Sequence, residues 1–187
     1  MTTNPTVGHG DAEARAANLA ILGETLSASC VELMADYGLE ARPLSGQAAA
    51  GPPVAVLVAG VDFQGRAMRG SVALWAARDV LLQTARAAPG LDASANDLPD
   101  WTCELANQLL GRMKNKLRVY DVSLSMNVPR IIASPEVNEL DAGLRYRFSC
   151  EFGALSATLD VLTASGFVLE RREPDPTLVQ EGDFTLL

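Results

Sequence analysis

Two apolar runs separated by a single turn constrain this chain most. They are Val54 to Phe63 and Met68 to Trp75, with Gln64, Gly65 and Arg66 following the first run. Val-rich runs around a Gly-bearing turn predict a β-hairpin. Neither run is long enough to cross a membrane. A second strand pair is predicted further on. Leu144 to Phe152 alternates Leu, Tyr, Phe and Cys with Arg and Ser, as a half-buried strand should. Gly153 turns the chain into Leu155 to Thr163, another strand. Val119 to Met126 also alternates and reads as a strand, with Pro129 interrupting it.

Helical spacing accounts for much of the remainder. Leu19, Leu22, Leu26 and Leu33 recur along Asp11 to about Tyr37, and Gly38 supplies a C-terminal stop. Ala76 to Ala88 reads as a second helix ended by Pro89 and Gly90. Asp100 to Leu117 is the best-defined helix, with Asp97 or Asp100 available as a cap and Pro99 near its first turn. A long helix thus precedes a strand pair in each half of the chain, although no residue-level repeat accompanies the pattern. The predicted class is α+β: an antiparallel-rich sheet with long helices on one face, built from pseudo-duplicated α-β-β units. The 187 residues suit one domain. It is expected over residues 11–165, with a flexible N-terminus at 1–10 and a polar, Pro-broken tail at 166–187.

Composition removes several functions. Fifteen Lys and Arg stand against 23 Asp and Glu, a net charge of -8. Such a surface repels phosphate backbones and anionic lipid, so neither nucleic acid nor membrane is an expected partner. The single histidine, His9, lies among glycines near the N-terminus. A catalytic triad or a multi-histidine metal site is therefore not expected, and serines such as Ser71 and Ser125 lack a histidine base. Cys30, Cys103 and Cys150 are odd in number, far apart and form no CxxC. They read as reduced thiols of a cytoplasmic protein. The first ten residues have no basic, apolar signal-peptide pattern.

The third helix carries the candidate chemistry. Leu105, Leu109, Met113 and Leu117 step by four, with Trp101 one step earlier, and form a core stripe. Glu104 and Asn107 are three apart, so they share another face. Gly111 extends that face by four residues and Lys114 by three more. A glycine inside a helix costs about 1 kcal/mol relative to alanine, and it suits a face that another surface must approach closely. The E-x-x-N spacing occurs once among the glutamates of the chain. Taken alone, a Glu and an Asn on an outer helix face are more often solvated than functional.

The wider string ELANQLLGRMKNKL, followed by a strand and then LSMNVPRII, resembles the CheX group of chemotaxis phosphatases within the CheC/CheX/FliY family. The positions that carry the resemblance are Glu104, Asn107, Gly111 and Lys114, then Leu124, Ser125 and Pro129. The preceding strand GSVALW and its following helix fit the same layout. Ser125 and Pro129 are more widely separated than in the family pattern, and Ala133 stands in the region of an expected Gly. CheC-type members carry two E-x-x-N helices. In the first helix here, Glu24 meets Ser27 and Glu32 meets Ala35 at that spacing, so the chain looks like a one-site member.

The resemblance implies hydrolysis of the aspartyl phosphate on a CheY-like response-regulator receiver domain. It gives Asn107 the role of orienting the attacking water and Glu104 that of docking on the receiver's active-site lysine. Gly111 would admit the receiver backbone, and Lys114 would face acidic groups around its pocket. No metal or cofactor of the chain's own is implied, since the receiver brings the Mg²⁺. A homodimer through a sheet edge is part of the same implication. The competing expectation is a non-catalytic module of this fold that binds a receiver or a flagellar-switch partner.

Overall fold

The computed structural model describes residues 9–44, 56–90, 97–132 and 143–172. Helix α1 spans His9–Asp36 and is followed by a two-residue strand, β1, at Arg42–Pro43. Strands β2 (Val56–Gly65) and β3 (Met68–Ala77) form the expected hairpin, paired from Val56 opposite Ala77 to Gln64 opposite Arg69. Helices α2 (Arg78–Ala87) and α3 (Leu98–Leu117) follow. After α3 come short strands β4 (Leu124–Met126) and β5 (Arg130–Ile131), then the hairpin β6 (Leu144–Cys150) and β7 (Gly153–Thr163). Every pairing is antiparallel, and the sheet order is β1-β6-β7-β3-β2-β4, with β5 also on β2.

Alternation along the strands sorts the two faces. Ala59, Val61 and Phe63 of β2, Val72 and Leu74 of β3, Leu155, Ala157 and Leu159 of β7, and Phe148 of β6 all join the main core. The helices close that core from above. Leu22, Leu26 and Leu33 come from α1, and Leu105, Leu109, Met113 and Leu117 from α3. Helix α1 lies over β6 and β7, whereas α3 lies over β2 and β3. Gly23 has a local reason: a Cβ there would overlap the Tyr146 hydroxyl of β6. Gly38 ends α1 at a φ of +72°, where its N–H donates to the Ala35 carbonyl over 2.9 Å. The opposite sheet face holds a smaller cluster of Val58, Ala73 and Trp75, with Ile132 against it.

The structure departs from expectation in three places. The alternation from Val119 does not make a strand there. Arg118–Tyr120 is a 3-10 turn closed by Asp121 in the left-handed region, and the strand begins only at Leu124. Val119 is exposed, so its apolar character was misleading. The expected tail, from residue 166, is also packed at its start. Leu169 is buried in the main core. Asn18, itself buried in α1, donates from Nδ2 to the Phe167 carbonyl (2.6 Å) and accepts the Leu169 N–H at Oδ1 (2.7 Å). Arg172 then donates its backbone N–H to Val119 and pairs with Asp121 at 2.8 Å. The packed body therefore continues past residue 165. At the other end α1 begins at His9, inside the stretch expected to be flexible. Residues 1–8 and 173–187 lie outside the described residues.

Replacing Asn18 by alanine leaves a buried donor and a partly buried acceptor unpaired. The expected loss is about 2 kcal/mol of unfolding free energy, read as a lower urea midpoint at unchanged slope. An unchanged midpoint would contradict the role given to this clamp.

Candidate functional site on the outer face of α3

The apolar half of α3 fixes which residues face outward. Leu98, Trp101, Thr102, Leu105, Ala106, Leu109, Leu110, Met113 and Leu117 are all buried. That leaves Glu104 exposed, with Asn107, Gly111 and Lys114 half-buried along the adjoining stripe. The four residues singled out in the sequence therefore lie on one outward surface. The helix starts with Asp97 at its N-cap, whose carbonyl accepts the Trp101 N–H over 2.9 Å. Pro99 sits in the first turn, where its missing N–H costs nothing. Asp100 near the N-terminus and Lys114 and Lys116 in the last turn suit the helix dipole.

Polar contacts staple the inner edge of this surface to α1. Lys116 pairs with Glu32 at 2.7 Å, and Arg112 pairs with Asp36. One turn further toward the N-terminus, the Tyr37 hydroxyl donates to Gln108 Oε1 over 2.9 Å. Gln108 Nε2 in turn donates to Glu104 Oε1 over 2.8 Å. The Glu104 carboxylate is thus held on one oxygen. Trp101 anchors the same corner. Its ring meets Tyr37 edge to face, centroids 5.4 Å apart, and its Nε1 donates to Thr84 of α2 over 2.8 Å.

The outward stripe itself carries uncommitted groups. Among the described residues the Asn107 carboxamide makes no hydrogen bond and Lys114 no ion pair. A Cβ on Gly111 would meet nothing within 4 Å. Internal packing therefore does not demand glycine there, and the position leaves a shallow opening beside Asn107. Nearby Cys103 is half-buried, and desolvation, with a smaller contribution from Asp100, raises its thiol pKa. Cys30, fully buried in α1, is pushed up to about 12 by burial. Neither behaves as an activated nucleophile. Among the described residues, no group of three or more His, Cys, Asp or Glu side chains could hold a metal ion, and no helix is long and apolar enough to cross a membrane.

Sequence reasoning brought Glu104, Asn107, Gly111 and Lys114 together, and the structure keeps them together. It missed Gln108 and Tyr37. Gln108 lies four residues after Glu104, the spacing at which helical side chains meet, and that signal was available. Tyr37 is 71 residues from Gln108 and gave no local signal.

Glu104 and the free Asn107 carboxamide thus share one outward helix face over an antiparallel sheet. A family model described as chemotaxis phosphatase CheX matches residues 57–152, more than half of the chain. The chain belongs to that family. Similar solved structures include the chemotaxis protein CheX from Vibrio vulnificus. It is 16% identical with a TM-score of 0.59, over 74% of this chain and 95% of that one. CheX from Desulfovibrio desulfuricans is 12% identical at a TM-score of 0.58, over 75% and 99%. The CheX–CheY–BeF3–Mg²⁺ complex from Borrelia burgdorferi matches at 12% identity and 0.56, over 74% and 96%. At these identities they show the shared fold. No curated protein matches the chain in sequence.

Because the space at Gly111 is open, Gly111→Ala is expected to stabilise the protein by up to about 1 kcal/mol through helix propensity. Urea unfolding checks this, and a clear loss of stability would show that the glycine serves the fold.

Proposed function

We propose that this chain is a cytoplasmic phosphatase that hydrolyses the aspartyl phosphate of a CheY-like receiver domain. The free Asn107 carboxamide, beside an anchored Glu104 and an open Gly111, carries the reading. Membership of the CheX family supports it. So does the Borrelia burgdorferi structure, in which a protein of this fold is bound to CheY with BeF3 and Mg²⁺.

The chemistry asks little of the protein. An acyl phosphate is already a good phosphoryl donor, so placing a water in line behind phosphorus is the remaining need. A carboxamide both accepts from and donates to that water and does not titrate in the physiological range. As the bond from water oxygen to phosphorus forms, the bond to the aspartyl oxygen breaks. The products are inorganic phosphate and a free aspartate. Mg²⁺ held by the receiver neutralises charge on the phosphoryl oxygens. Glu104 pairs with the receiver's active-site lysine and fixes the register of docking. Gly111 lets the receiver backbone lie close to α3, and Lys114 faces acidic groups around the receiver pocket.

Aspartyl-phosphate decay on purified receivers tests the proposal. Asn107→Ala is expected to lower the maximal rate by roughly 10²-fold with receiver binding retained. Glu104→Ala is expected chiefly to raise the half-saturating receiver concentration. Binding of a receiver with unchanged phosphate decay would replace this reading with a non-catalytic module. Unchanged activity in both variants would remove the site assignment.

A further inference from the structure

The phosphatase reading leaves open how an exposed glutamate on a helix surface meets a partner in one geometry. A Glu side chain has three rotatable bonds, and in solvent it samples many rotamers. Here one of its oxygens is already engaged. Gln108 Nε2 donates to Glu104 Oε1 at 2.8 Å, and Gln108 cannot swing freely because its own Oε1 accepts from Tyr37. Tyr37 is fixed by its edge-to-face contact with Trp101, and Trp101 by its hydrogen bond to Thr84. The chain of contacts runs from α2 through Trp101 to Tyr37, just past the end of α1, and back to the outer face of α3. It ends on the carboxylate.

We propose that Gln108, held by Tyr37, is a positioning residue that presents the second oxygen of Glu104 to the docking partner. This rests on the phosphatase reading for the identity of that partner. The amide is suited to the task for a chemical reason. It accepts from the tyrosine on one side and donates to the carboxylate on the other, so both links are satisfied at once. A lysine at residue 108 would give the carboxylate a competing cation. A carboxylate there would repel it. Preorganisation lowers the ordering cost of docking and leaves the chemical step at Asn107 untouched.

The test uses the full chain with Gln108→Met and Tyr37→Phe. Both keep the shape of the side chain, and the phenylalanine keeps the ring contact with Trp101. Steady-state dephosphorylation of a receiver is expected to show a half-saturating concentration raised roughly threefold to tenfold, with the maximal rate kept within about twofold. In a Glu104→Ala background, Gln108→Met is expected to add nothing further, because its effect passes through the carboxylate. A merely structural role would instead give an additive loss and a lower unfolding midpoint. NMR of the free protein supplies a readout independent of any receiver. The side-chain amide protons of Gln108 should lie away from the positions of exposed glutamines and return to them in Tyr37→Phe. Gln108→Met as active as wild type, or more active, overturns the proposal, and so do solvent-like amide signals. No acceleration by wild type with any receiver, beside shifted Gln108 signals, would instead remove the phosphatase reading and the docking role drawn from it.

Discussion

The packing of the α3 apolar row onto β2 and β3 is the contact on which the rest depends. Leu105, Leu109, Met113 and Leu117 occupy one side of the helix and are buried without exception. Once that side faces the sheet, helical geometry places Glu104, Asn107, Gly111 and Lys114 among the residues left outside. The candidate surface is therefore the complement of the core stripe. A substitution that rotated α3 by even part of a turn would bury the acid and the amide together.

The two halves of the chain are interlocked. Helix α1 precedes the β2–β3 hairpin in sequence yet covers β6 and β7, and α3 precedes β6 and β7 yet covers β2 and β3. The short edge strands exchange in the same way. Strand β1, which follows α1, pairs with β6, and β4 and β5, which follow α3, pair with β2. The order β1-β6-β7-β3-β2-β4 is thus symmetric under exchange of the halves. Neither half can bury its own hairpin, so the α-β-β units fold as one body. The same exchange brings the end of α1, with Tyr37, beside the start of α3, with Trp101 and Gln108. The outward face of α3 is stabilised by a helix from the other half.

Much of this was legible from local spacing. The rows of Leu in α1 and α3, the stop at Gly38 and both hairpins follow from periodicities of 3.6 and 2. The E-x-x-N face could be placed because its residues are neighbours on one helix. Features that depend on distant partners were not legible. Val119 sits in an alternating stretch but lies in a 3-10 turn, and tertiary contacts set its exposure. Leu169 ends the apolar run Phe167-Val168-Leu169, but its partner, the buried Asn18, lies about 150 residues earlier. The Tyr37–Gln108 link and the exchange of edge strands belong to the same category, because sequence separation hides them.

The central claim is that the outer stripe of α3 is where this protein meets an activated receiver. The most direct measurement is an NMR titration of the labelled full chain with a beryllofluoride-activated receiver. Perturbations centred on Glu104, Asn107, Gly111 and Lys114, and weak on the Val58, Ala73 and Trp75 face of the sheet, are the expected result. Perturbations confined to that sheet face or to the edge strands, with α3 unmoved, would contradict it.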